Sequence, residues 1–162
     1  MAIINMRPNI WQLYFKRFGS CVYVIRMGQH NILVDTSSKD NEEELLHELK
    51  KLKIEPRDVH YVLLTHTHSD HIQNLDLFPN AKVISKENIK EFLLPRWRVI
   101  ETPGHTKDSI CFLHEEVLFS GDTIFNIGIG RTDFPESEPE KMRDSLDKLK
   151  KVNYEILAPG HV

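Results

Sequence analysis

The stretch LLTHTHSDH, from Leu63 to His71, places three histidines and an aspartate within six consecutive positions directly after an apolar run. A buried strand does not ordinarily end in imidazoles and a carboxylate, and this mixture of nitrogen and oxygen donors is what a divalent cation takes. His66 and His68 are two apart, so while the chain stays extended they project the same way and can close on one ion. Asp70 and His71 follow as the chain begins to turn and can face a second point nearby. Neither pair completes a site, because a catalytic zinc ordinarily keeps three protein ligands and one open position.

The missing donors stand at other strand ends. NILVDT, VIETPGHT, VLFSGDT and EILAPGH each run from apolar residues into a turn that bears His or Asp, which is where a rigid scaffold presents chemistry. His105 is lifted by Pro103-Gly104, His161 is presented by the same Pro-Gly-His device, and Asp122 can give one oxygen to each of two ions. The set then closes as His66, His68, His105 and Asp122 around one metal, and Asp70, His71, His161 and Asp122 around the other. Two ions bridged by a carboxylate and a hydroxide sit roughly 3.5–4 Å apart. Their positive field favours a substrate that develops negative charge. The donors suit zinc, with iron or manganese as alternatives. A purely structural account makes Asp70 a helix cap and the Pro-Gly histidines turn residues; it must then explain seven such residues at once.

Around this set, Arg131 follows Gly130 in NIGIGRTD and could pair with Asp133 or Asp70, or meet an anionic substrate. Asp70 and Asp122 are the expected catalytic carboxylates, with Arg131 as the third candidate. Phe125, Ile127 and Ile129 alternate as an apolar lining would, and equally as a packed strand would. Asp35 is expected behind the site, and Thr65 and Thr67 are expected to bond to nearby backbone. His30, His47, His60 and His114 have no ligand-like neighbours.

The elements that must position these residues can be read coarsely. Strands are expected at 10–15, 20–27 and 31–35, joined closely enough to form an antiparallel meander. A helix at about 42–53, capped by Asn41, carries Leu45, Leu46, Leu49 and Leu52 on one stripe. A strand at 59–65, a short helix at 71–77, a strand at 81–85, a helix at 86–93 and a strand at 98–101 follow. A hairpin pairs 109–113 with 116–120, a helix begins after Ser137 and turns Met142, Leu146 and Leu149 inward, and a last strand spans 155–158. The pattern is an α/β sandwich with mixed sheets.

Composition bounds the rest. At 162 residues with 40% hydrophobic and 28% charged, a single compact domain is expected over 1–162. The net charge of −3 and the mixing of Lys clusters with acids argue against nucleic acid. No apolar run reaches membrane-spanning length and no cleavable leader is evident, so a cytoplasmic protein without membrane contact is expected. Cys21 and Cys111 read as small core residues in a reducing compartment. The expected partner is a small-molecule substrate, and a homo-oligomer is left open.

THTHSDH, TPGHT, SGDT and APGH, in this order, resemble the metal-binding motifs of the metallo-β-lactamase superfamily, and SCVYVI and LVDT resemble its opening strands. GDTIFNIGIGRTDF followed by a serine-bearing helix is similar to the glyoxalase II branch, the hydroxyacylglutathione hydrolases, and to persulfide dioxygenases. The resemblance implies a four-layer αβ/βα sandwich of two mixed sheets, and metal ligands at His66, His68, Asp70, His71, His105, Asp122 and His161. It implies a metal-dependent hydrolase of a small thioester, using a metal-bridging hydroxide. The alternatives are a persulfide dioxygenase-like enzyme with one iron on His66, His105 and Asp122, and a dimetal phosphodiesterase or ribonuclease. Full-length glyoxalase II-like enzymes bind glutathione partly through a C-terminal helical domain, which is not expected here because His161 is followed only by Val162.

Overall fold

Apolar and β-branched residues separated by tight turns dominate the first third of the chain, and the computed structural model, which describes residues 2–162, folds them into a sheet. Its strands are β1 (Ala2–Arg7), β2 (Ile10–Tyr14), β3 (Val22–Met27), β4 (His30–Val34), β5 (Val59–Leu63) and β6 (Lys82–Ile84), lying side by side in chain order. β1 to β4 pair antiparallel; β4, β5 and β6 pair parallel. The expected meander is present, with one strand more than expected. β1 is returned onto β2 by a turn at Pro8-Asn9, where Asn9 takes φ 66°, a left-handed conformation that asparagine tolerates.

The parallel step from β4 to β5 needs a crossover, supplied by helix α1 (Glu42–Lys51). Leu45 and Leu49 of α1 are fully buried and pack with Leu13, Val24, Leu33 and Val62 of the sheet. Asn41 does not cap this helix: its side-chain amide instead donates to the carbonyls of Arg17 and Phe18 at 3.2 and 3.3 Å and to Ser37 Oγ at 3.0 Å. Those acceptors, engaging the amide nitrogen, fix the orientation of the buried side chain, so its oxygen is not turned to the N–H groups at the helix end.

The expected helix at 71–77 is broken into α2 (Ser69–Ile72) and a separate 3-10 turn, Leu75–Leu77. Asn74 causes the break, because its amide donates at 2.8 Å to both Thr36 O and Ser38 O. Similarly, Lys86–Glu91 is a kinked 3-10 segment started by a reciprocal Ser85 and Asn88 capping box rather than a regular helix.

These contacts gather into two compact units, residues 2–64 with 68–84 and residues 65–67 with 85–162. The second unit holds β7 (Trp97–Glu101), β8 (Ile110–His114), β9 (Val117–Gly121) and β10 (Ile156–Pro159), in the order β10-β9-β8-β7. β7, β8 and β9 are antiparallel, and β10 returns parallel to β9 after helix α3 (Pro139–Leu149). Met142 and Leu149 of α3 are buried and Leu146 is half-buried. Leu149 and Val152 pack with Ile100, Cys111 and Leu118.

Both sheets are mixed, as expected. Cys21 and Cys111 are buried free thiols, and burial pushes the Cys111 thiol up to about 11. Among the described residues, no helix is long and apolar enough to cross a membrane.

Candidate metal centre

In the second unit His66, His105, Asp122 and His161 come together. The Thr65 carbonyl accepts from Ile110 N–H at 2.8 Å, which ties the chain just before His66 to the start of β8. The His66 and His105 rings meet edge to face with centroids 4.9 Å apart. Asp122 follows Gly121, which adopts φ +50° where an added Cβ would strike Thr65. His161 is positioned by the residue before it, since the Gly160 N–H donates to Gly121 O at 2.7 Å. Asp122 Oδ2 lies 3.6 Å from His105 Nε2 and 3.4 Å from His161 Nε2.

Which atom of His105 carries the proton follows from its other nitrogen. Nδ1 lies 2.7 Å from the Arg131 carbonyl oxygen, which can only accept, so Nδ1 is the donor. In the neutral ring Nε2 then presents a lone pair, and it faces a carboxylate oxygen, also an acceptor. Two acceptors gain nothing from each other, but a cation between them satisfies both. Metal bonds near 2.1 Å at a tetrahedral angle separate neighbouring donors by about 3.4 Å, which is the spacing found. The residues therefore fit a metal ion.

The first unit repeats the device with a different tie. His71, fully buried, sets Nδ1 2.8 Å from Asp35 Oδ2, and its Nε2 is 3.9 Å from Asp70 Oδ2. Asp35 takes φ 59° directly after β4, a conformation rare outside glycine but open to aspartate, and so the backbone turns its carboxylate onto the imidazole. The loop is held further by Thr36 N–H donating to His71 O at 2.7 Å and Ser20 N–H donating to Asp70 O at 3.0 Å. His68, half-buried, stands in extended conformation directly before α2, where its carbonyl accepts from His71 N–H.

Some expected roles fall to other atoms. The Arg131 guanidinium is exposed and forms a two-point pair with Asp133 at 2.9 and 2.8 Å, above the Phe134 ring at 4.8 Å. The pair holds the Asp133 carboxyl below the usual carboxylate range and raises the guanidinium further. What Arg131 brings to His105 is its main-chain carbonyl. Gly130 makes that approach feasible, since a Cβ there would overlap the Asp122 carbonyl and crowd His105 Nδ1.

Thr67 does not bond to backbone as expected; it donates to Asp108 Oδ2 at 2.7 Å, while Thr106 Oγ1 donates to Asp108 Oδ1 at 2.6 Å. Asp108 thus clips the loop of His66 to the loop of His105. Sequence reasoning passed over it, although a carboxylate two residues after a threonine in TPGHTKDS is a turn-forming pattern. Ser137 does not cap α3 but donates to the His105 carbonyl at 2.6 Å, adding a second fastening to that loop.

Residues 16–91 and 86–161 match the metallo-beta-lactamase superfamily. The chain belongs to that superfamily. Hydroxyacylglutathione hydrolase of Francisella tularensis subsp. novicida is 34% identical over 160 residues, which cover 86% of this chain and 61% of the relative. The chain thus spans about 61% of the length of that relative. Probable metallo-hydrolase MJ0296 of Methanocaldococcus jannaschii is 35% identical over 143 residues, 80% of this chain and 70% of its own. Among solved structures, ETHE1 from Myxococcus xanthus superposes with TM-score 0.75 at 25% identity, covering 94% of this chain and 75% of that one. TTHA1623 in a di-iron-bound form gives TM-score 0.76 at 21% identity, over 93% and 91%. The fold is the α/β sandwich of this superfamily, and it carries candidate His and Asp metal-binding groups.

Proposed function

We propose that the protein is a metal-dependent hydrolase of a small thioester, with His66, His68, His105 and Asp122 holding one divalent ion and Asp70, His71, His161 and Asp122 a second. The observation that carries the reading is the pair of imidazole nitrogens, His105 Nε2 and His161 Nε2, placed 3.6 and 3.4 Å from one Asp122 oxygen. Asp122 is the only one of the seven assigned to both ions. Zinc suits the donors, and the di-iron form of TTHA1623 keeps iron as the alternative. The likeness to hydroxyacylglutathione hydrolase supports the thioester class.

Bound ions supply Lewis acidity and bring the pKa of a coordinated water near neutrality. The chain's part is to aim and to hold. Arg131 O and Asp35 fix the tautomers of His105 and His71, so that both rings offer Nε2 without reorganising. Asp70 would orient the attacking water by accepting a hydrogen bond from it, and Asp122 would hold the two ions at their spacing. The water oxygen would add to the acyl carbon and the carbon–sulfur bond would break with its electron pair on sulfur; the water's protons pass to solvent, the products are a carboxylate and a thiolate, and no dedicated acid is needed.

A second reading has its own observation. His66, His105 and Asp122, the three residues that resemble a mono-iron persulfide dioxygenase site, lie together in one unit. The two readings separate on metal content and chemistry: two zinc ions per chain with thioester turnover support the first, and one iron with oxygen uptake on a persulfide supports the second. Asp122→Ala is expected to remove metal and turnover together. Retention of both would end either account.

A further inference from the structure

After Asp122 the chain forms a small hairpin. Ile124 bridges Ile129, Phe125 N–H donates to Gly128 O at 3.0 Å, and Gly128 takes φ 96° to close the turn. Turn tips of this kind usually carry Gly, Asn or Asp. Here Ile127 occupies the tip and is 95% exposed, and Ile129 is 50% exposed. The alternation of Phe125, Ile127 and Ile129 is therefore not that of a packed strand, because these side chains do not enter the core.

Beside the hairpin lies a cavity of about 360 Å³ lined by Phe125, Asn126, Ile127, His161 and Val162. Phe125 and His161 approach with ring centroids 6.4 Å apart, so the cavity reaches the imidazole assigned above to a metal. Its volume is at the lower end of the range for small-molecule pockets, about 300–1,000 Å³. Asn126 is the one lining residue besides His161 with a polar side chain, and none of the five carries a cation.

We infer that this cavity is the acyl subsite of the enzyme, and that the substrate carries an apolar, uncharged acyl chain rather than a hydroxyacyl group. The inference rests on the thioesterase reading and names its substrate class. A hydroxyacyl group finds few polar partners beside the apolar side chains of Phe125, Ile127 and Val162. An alkyl chain covers Phe125 and Ile127 from water, which is the favourable exchange their exposure leaves available.

The test compares thioesters of one small thiol, N-acetylcysteamine, whose acyl group runs from acetyl to hexanoyl, with S-lactoylglutathione alongside. Binding of the non-hydrolysable thioethers S-ethyl- and S-hexyl-N-acetylcysteamine is measured by calorimetry on the same metal-loaded protein. The hexanoyl ester is expected to exceed the acetyl ester at least about tenfold in kcat/KM, and the hexyl ether to bind at least about tenfold more tightly than the ethyl. Ile127→Asp, a change at an exposed position, is expected to bring both ratios toward one.

Equal turnover at all acyl lengths, a preference for S-lactoylglutathione, or ratios unchanged in Ile127→Asp overturns the subsite while leaving a hydrolase. So does a variant that changes only sedimentation, which would make the patch an interface between copies. Absence of thioester hydrolysis overturns the hydrolase reading itself, and a flat thioether series then removes the alkyl site with it.

Discussion

The two units each present a histidine whose far nitrogen is tied down and whose near nitrogen faces a carboxylate, but they tie it differently. His71 in the first unit is held by a side chain, the Asp35 carboxylate, at 2.8 Å. His105 in the second is held by a main-chain atom, the Arg131 carbonyl, at 2.7 Å. A carboxylate is a charged acceptor and makes the imidazole a stronger donor to a metal; a carbonyl fixes the same tautomer with less polarisation. The first arrangement depends on one side chain. The second depends on backbone geometry and so on whatever lets two segments approach.

That contrast can be broken from either side. Asp35→Ala removes that carboxylate from a buried imidazole, and metal affinity measured by competition with a chelator is expected to fall about 10–100-fold. Gly130→Ala attacks the second unit through the main chain. The forced separation from Asp122 is expected to cost about 1–3 kcal/mol in urea unfolding and to weaken metal binding as the Arg131 carbonyl shifts. Arg131→Ala keeps that carbonyl, and since its guanidinium is engaged with Asp133 on the surface, stability should change by no more than about 0.5 kcal/mol with metal content retained. A loss of metal in Arg131→Ala equal to that in Gly130→Ala would show that the side chain, not the backbone, serves His105.

His114 sharpens the comparison with the smallest effect. It too donates Nδ1 to a carbonyl, that of Arg96 at 3.0 Å, but its ring is stacked on Trp97 with centroids 4.4 Å apart, and Arg96 itself is paired with Glu115. Burial, the leading cause, lowers its pKa below the ordinary histidine value. The folded state thus resists protonation more than the unfolded one. The stability this histidine permits is present above its unfolded pKa, about 6.5, and declines as pH falls from there through the lowered folded value. Urea unfolding at pH 7 and pH 5 should show a smaller acid loss in His114→Phe than in the parent. Equal losses would mean that this ring does not carry the difference.

The candidate donors could be picked from the sequence because residue type and spacing are written in letters: THTHSDH, PGH, GDT and PGH each declare a possible donor and a turn. The sheets were legible for the same reason, through apolar runs and turn residues. What escaped was carried by atoms that the letters do not distinguish. Every residue has a carbonyl, so nothing in NIGIGRTD reveals that the useful part of Arg131 is its oxygen. Asn41, Asn74 and Ser137 have side chains suited to local caps, yet long-range acceptors claim them, and the helix expected at 71–77 is broken at Asn74. β1 was missed although Pro8-Asn9 offered a turn, because its pairing with β2 is visible only when the second strand is in place.

The tie between His105 and Arg131 has an implication for how such a protein can change over generations. Because the oxygen that steadies the imidazole belongs to the main chain, surface position 131 can drift in charge or size without unsettling the imidazole behind it. Change at that surface can therefore accumulate while the orientation of the buried ring is inherited intact.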